Sequence, residues 1–208
     1  MLPKKPDMIF DDMAKYLPNH WYPMDSGEAR YLVIPVPPYS TEFEEVMQRF
    51  KGDYYCKITG LYKVQNPLMY TKFALKQHDY SQRGPFTIKQ LYHDTSDRNI
   101  HSISEFNFDW KCGTRFMFGP GVYFSISPDI ASKHSSKSNG INRAMFLVDV
   151  LVQNVEYGDE RTFLPNPGCD TVVAHGGVTY VKYFDCEYYP AYVVSYMSRR
   201  NPNFMYFN

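Results

Sequence analysis

The sequence predicts an α+β domain built on mainly antiparallel sheets with a few flanking helices. Three observations predict it. Strand-like stretches outnumber helical ones and follow each other with only short helices between them. The run Ala144-Met-Phe-Leu-Val-Asp-Val-Leu-Val152 is almost unbroken in its apolar character, the pattern of a central strand covered on both faces. Aromatic content is high, with 19 Tyr and 15 Phe in 208 residues, and rings of that kind fit a pleated, half-buried surface.

The elements follow in order. Residues 1–28 read as an arm, broken repeatedly by Pro3, Pro6, Pro18 and Pro23. Tyr31–Val36 is a strand that ends at Pro37-Pro38. A helix comes next, with Thr41 and Glu44 as a capping box and Phe43, Val46, Met47 and Phe50 on one apolar face. Gly52 is its stop signal. A strand over 54–65 leads to Asn66-Pro67, an N-cap followed by Pro at the first helical position. That helix is expected to run to about Gln77, with a polar loop over 78–85. Thr87–His93 is a strand, Ser96 caps a short helix, and 105–121 is a loop anchored by Phe106, Phe108 and Trp110. Ser127-Pro128-Asp129 is a further helix start. After the central strand, 153–177 reads as loop, and two last strands occupy 178–184 and about 188–197.

The formal charge is zero and the pI about 7, so no basic excess points to nucleic acid or an acidic membrane. Cysteines at 56, 112, 169 and 186 form no CxxC pair and no finger spacing with histidine. Reduced thiols in a cytoplasmic or nuclear protein, with no metal, are the expectation. No apolar leader opens the chain, and no run is long enough to span a bilayer.

Chemistry concentrates between Leu91 and Ser132. One strand delivers His93 at its end, and the turn Gly119-Pro120-Gly121 feeds a second strand that carries Tyr123. Two polar aromatic groups on neighbouring strand ends suit a small pocket for a flat ligand. Their side chains are expected to face each other across roughly the thickness of one aromatic ring, on the order of 5–8 Å. The glycine turn is only half of a GxGxxG, since Phe124 fills the last glycine position, so a Rossmann reading fails.

Five stretches resemble the catalytic domain of the poly(ADP-ribose) polymerase-like, or diphtheria-toxin-like, ADP-ribosyltransferases. They are Tyr62-Lys-Val-Gln-Asn-Pro67, Leu91-Tyr-His-Asp-Thr-Ser96, Met117-Phe-Gly-Pro-Gly-Val-Tyr-Phe124, Ala144–Val152, and Tyr180-Val-Lys-Tyr-Phe-Asp185 with Tyr189-Pro-Ala-Tyr192. The last pair is similar to the mono-ADP-ribosylating branch. The resemblance implies two mostly antiparallel sheets around an NAD cleft in residues 29–208. It implies NAD⁺ as co-substrate and an acceptor protein, which could be the chain itself. Departure of nicotinamide would pass through an oxocarbenium-like transition state, as in glycoside hydrolysis.

By the same resemblance His93 holds a ribose hydroxyl, Tyr123 packs on nicotinamide, and Thr179 stands where polymer-forming members carry Glu. Asp94, Thr95 and Phe124 flank the first two in the cofactor-binding set. Asp94 takes the place of a Gly whose backbone holds the carboxamide. Ala131, eight residues after Tyr123, takes the place of a Ser, and His134, eleven after it, takes the place of a second stacking Tyr. Restoring Gly at 94 and Ser at 131 is expected to tighten NAD⁺, since a hydrogen bond to a buried ligand group is worth roughly 1–3 kcal/mol. Two function classes follow. One is an enzyme that transfers a single ADP-ribose from NAD⁺ to a protein or nucleic-acid acceptor. The other is a catalytically silent domain of the same fold that binds partners or ADP-ribose-like ligands.

Overall fold

The computed structural model describes residues 13–24, 30–51, 55–113, 116–135, 140–159 and 161–198. In chain order its elements are β1 (Leu32–Pro35), α1 (Thr41–Arg49), β2 (Tyr55–Gln65), α2 (Pro67–Arg83), β3 (Thr87–Ser96), α3 (Ile100–Phe106), β4 (Val122–Ser125), α4 (Pro128–His134), β5 (Asn142–Val152), β6 (Val155–Tyr157), β7 (Thr171–Ala174), β8 (Thr179–Lys182) and β9 (Tyr188–Ser198).

These strands make one hydrogen-bonded sheet in the order β1-β2-β9-β5-β3-β4-β8-β7-β6. Pairing is antiparallel except between β6 and β7. The expectation of two sheets is corrected in an instructive way. All of β3 pairs with β5, from Thr87 opposite Val152 to Ser96 opposite Arg143. Its other neighbour, β4, pairs with it through Tyr92 and Ser125 alone. The sheet therefore forks at β3 and β4, and the His and Tyr motifs lie on the two sides of that fork. As the apolar run predicts, β5 is central: Ala144 to Val148 are all at most 1% exposed.

Two packed layers hold this sheet. On one face Leu91, Phe124, Phe146, Phe108 and Tyr188 form an aromatic-rich cluster. On the other, α1 and α4 bring Val46, Phe50 and Ala131 against Tyr92, Met145, Leu147 and Tyr196. The apolar face read for α1 is the buried one, with Phe43 and Met47 at its edge. Its cap is Ser40 rather than Thr41: the Ser40 hydroxyl accepts the Phe43 N–H at 3.1 Å. The helix ends at Arg49 with Phe50 as its cap, and Gly52 lies outside the described residues.

Helix α2 starts as read, with the Asn66 side chain accepting the Met69 N–H at 3.0 Å and Pro67 in the first turn. It does not stop at Gln77 but runs to Arg83. Asp79 pairs with Lys76 and Arg83 one turn either side, and Tyr80 is wholly buried, so the polar-looking segment has one apolar anchor. The segment 153–177 contains two strands, β6 and β7, missed because each is only three or four residues long. The first twelve residues of the arm and 25–29 lie outside the described residues, while Trp21 packs against Tyr70 and Tyr189. No helix among the described residues is long and apolar enough to cross a membrane.

Candidate functional site

His93 sits on β3 beside the fork. Its Nδ1 is 2.9 Å from the carbonyl oxygen of Tyr123 on β4. A carbonyl can only accept, so Nδ1 carries the proton and Nε2 presents a lone pair when the ring is neutral. Burial pushes the imidazole pKa down, and the Arg143 charge adds to that, against the opposing pull of the Tyr123 carbonyl. The ring is clamped by Phe108 at 4.8 Å and Phe124 at 6.0 Å between centroids. Neutral His93 thus has a fixed ring, with Nε2 as its remaining acceptor.

Tyr123 meets His93 through its backbone, not its ring. The Tyr123 ring packs with Phe118, Val181 and Tyr183, away from the cluster that holds Phe108 and Phe124. Strand alternation is the reason, because Phe124 beside it already points into the His93 cluster. The expected ring-to-ring facing of His93 and Tyr123 is corrected accordingly. The Tyr123 hydroxyl closes its own turn: it accepts the Phe118 N–H and donates to the Gly119 carbonyl, each at 2.8 Å. Gly119 is required there, with φ of 84° and the Phe163 carbonyl 1.6 Å from where a Cβ would stand.

Several residues of the sequence-derived set are structural. Phe124 is fully buried in the core, so its place in a ligand-contacting set is corrected. Thr95 is buried and accepts a hydrogen bond from Asn99 at 2.8 Å. Ala131 is buried on α4 against the Tyr92, Met145 and Tyr196 cluster, so a hydroxyl added there would enter the apolar layer. Asp94 is buried too, and its carboxylate accepts from the Arg143 guanidinium and from the Tyr196 hydroxyl at 2.8 Å. Its backbone carbonyl accepts from Ser135 at 3.0 Å. Burial raises the Asp94 pKa, while Arg143 and Tyr196 oppose the rise. The side chain that Asp94 adds in place of Gly is thus held by Arg143 and Tyr196.

Thr179 opens β8, paired with Ser125 on β4 and Ala174 on β7. It is 4% exposed, and its Oγ1 lies 3.1 Å from Nδ1 of His175. The His175 ring stands 4.9 Å from Phe118 and 5.3 Å from His134. Burial and the neighbouring His175 lower the His134 pKa. His134 thus meets another histidine in this structure. Sequence reasoning missed His175, Phe118 and Arg143. The pair Gly176-Gly177 marked an unusual turn at His175, and a charge opening an apolar strand marked Arg143 as half of a buried pair.

Two surface depressions, of about 360 Å³ and about 280 Å³, lie elsewhere. The first is walled by Trp110, Pro120, Leu164, Pro167 and Phe184, the second by Lys76, Arg83, Asp170 and Glu187, and neither contains His93, Tyr123 or Thr179. Beneath the second, Lys182 is wholly buried between Asp170 at 2.8 Å and Glu187 at 3.0 Å. No group of three His, Cys, Asp or Glu among the described residues is placed to hold a metal ion.

A family profile described as "Poly(ADP-ribose) polymerase catalytic domain" matches residues 40–182. Among curated proteins, the "Protein mono-ADP-ribosyltransferase PARP12" of Mus musculus is 26% identical over 203 residues, which cover 90% of this chain and 28% of the relative. The protein of that name from Homo sapiens is 26% identical over 206 residues, 91% of this chain and 29% of the relative. The "Protein mono-ADP-ribosyltransferase PARP11" of Homo sapiens is 25% identical over 182 residues, 76% of this chain and 54% of the relative. The chain thus spans between about a quarter and about half of the length of these relatives.

Proposed function

The chain belongs to the poly(ADP-ribose) polymerase catalytic-domain family, and from that premise we propose that it transfers a single ADP-ribose from NAD⁺ to a protein acceptor, releasing nicotinamide. Domains of this family use NAD⁺ as co-substrate. The observation that carries the reading is His93. Its Nδ1 is fixed on the Tyr123 carbonyl at 2.9 Å, and burial keeps the ring neutral, so Nε2 is an aimed acceptor for a ribose hydroxyl. Thr179 supplies a second hydroxyl-binding oxygen on the other side of the fork. Each is a group of the kind that pairs with a ribose hydroxyl.

NAD⁺ supplies the glycosidic bond that breaks and nicotinamide as the leaving group. The chain supplies placement. His93 holds a hydroxyl without itself gaining a proton, and Phe108 and Phe124 keep its ring from rotating. Placing reacting groups in this way replaces an encounter with an oriented contact. The acceptor itself supplies the nucleophile, because neither a Thr hydroxyl nor a His bonded as His93 is makes a strong base there.

The test is incubation of the protein with labelled NAD⁺ beside His93→Ala. Label should enter the wild-type protein or an added acceptor, and His93→Ala should lose most of it. A second reading, a silent domain that only binds ADP-ribose-like ligands, draws on the His134–His175 ring contact at 5.3 Å, where a ring stacked on nicotinamide is expected instead. It predicts ligand binding by calorimetry with no label transferred and no nicotinamide released.

A further inference from the structure

His175 lies outside every motif of the sequence, yet the fold gives it a held position. It sits in the turn between β7 and β8 with φ of 50°, followed by Gly176 at 68° and Gly177 at 96°. Left-handed backbone disfavours a residue with a Cβ, and it persists where surrounding structure enforces it. Contacts of the His175 side chain enforce it. Its Nδ1 lies 3.1 Å from Thr179 Oγ1, and its ring is set between Phe118 at 4.9 Å and His134 at 5.3 Å. Phe118 in turn donates its N–H to the Tyr123 hydroxyl, and the Tyr123 carbonyl accepts from His93. A continuous run of contacts therefore links His175 to His93 across the fork.

We infer that His175 is a positioning residue for the transfer reaction, acting through Thr179. A threonine hydroxyl rotates, so alone it holds a ribose hydroxyl loosely. In the tautomer whose Nδ1 carries no proton, the Thr179 hydroxyl donates to that nitrogen, and a lone pair of Oγ1 is left to accept from the ribose. An oxygen that donates onward in this way is also the stronger acceptor. Thr179 is 4% exposed, and His175 beside it is exposed at the turn. The inference rests on the reading of the preceding subsection and names the residue that makes Thr179 serviceable in it.

The experiment measures transfer of labelled ADP-ribose, and release of nicotinamide, for the full chain and for His175→Ala, His175→Gln and His175→Asn. Each is also made in a Thr179→Val background. An Asn amide reaches the place of Nδ1 and tolerates left-handed backbone, whereas Gln reaches the place of Nε2. His175→Ala and His175→Gln should lower kcat about tenfold, as for one lost hydrogen bond in the reacting geometry, and His175→Asn should stay within about threefold of wild type. In Thr179→Val, His175→Ala should cost nothing further. A purely structural role gives equal losses for Asn and Ala, or a loss undiminished in Thr179→Val, and either result overturns the inference. So does a His175→Ala rate equal to wild type, in which case the transferase reading stands. A wild-type chain that neither transfers ADP-ribose nor releases nicotinamide overturns both.

Discussion

The Asp94 carboxylate is buried against the Arg143 guanidinium, with the Tyr196 hydroxyl on its second oxygen at 2.8 Å. Asp94 follows His93 in the strand, so a charge that the sequence places at the site belongs to the apolar layer beneath α4. Asp94→Gly should then cost stability rather than tighten NAD⁺. Removing one partner of a buried ion pair costs about 3–5 kcal/mol. A urea melt at constant slope should show it for Asp94→Gly, and a smaller loss for Asp94→Asn, which keeps a hydrogen-bonding partner for Tyr196. Adding Ala131→Ser should not restore the loss, since Ala131 faces Tyr92 and Met145.

His93 makes stability pH-dependent in a stated direction. Burial lowers its pKa below the ordinary value of about 6.5 for imidazole. As pH falls through that value the unfolded chain binds a proton that the folded chain does not. Stability is therefore full above the unfolded pKa and declines below it, by no more than about 1.4 kcal/mol per pH unit for this one group. Chemical unfolding between about pH 7.5 and 5.5, a range that brackets imidazole titration, should show a shallower decline for His93→Asn than for wild type. Equal slopes would remove His93 as the source.

Thr179 bears on the product. Extending an ADP-ribose chain requires activation of a hydroxyl on the first unit, a task for a group that accepts a proton, which threonine does poorly. Mass spectrometry of reacted protein should find one ADP-ribose per modified side chain. Two or more units on one residue would show that the role given to Thr179 is wrong. Thr179→Glu alone should not make chains, because His175 and the 153–177 segment keep their places around it.

Gly119 ties the Tyr123 turn to the segment that crosses it. Gly119→Ala puts a Cβ into the Phe163 carbonyl at a φ of 84°. Destabilisation of more than about 2 kcal/mol is expected from strain plus displacement of that segment. Tyr123→Phe should cost less, about 1 kcal/mol for its bonds to Phe118 and Gly119. A thermal melt ranking the two in the opposite order would contradict this account of the turn.

Lys182→Met tests the buried charge cluster. Lys182 lies between Asp170 at 2.8 Å and Glu187 at 3.0 Å, and Tyr80 donates to Glu187 at 2.6 Å. Without the ammonium two carboxylates remain close together in a buried place, a loss of about 3–5 kcal/mol. Adding Glu187→Gln should return part of it, as read by the unfolding midpoint.

The sequence by itself determined the elements whose signals are local and strong. The cap at Asn66-Pro67, the apolar stripe of α1, the unbroken run of β5 and the start of α4 at Ser127-Pro128 all lie where their residues place them, because capping and periodicity act within a few residues. The order of the His93 and Tyr123 motifs was legible in the same way, and with it the family. Tertiary structure decided what no local signal holds. A single pair, Tyr92 with Ser125, joins what reads as two sheets. Strand alternation next to a buried Phe124 turns the Tyr123 ring from His93 and leaves its carbonyl there instead. Asp94 finds Arg143, and Thr179 finds His175, because register and a left-handed turn bring together residues whose pairing no spacing encodes. Charge and hydrogen-bond partners depend on that proximity, so the partners of these side chains were settled by packing.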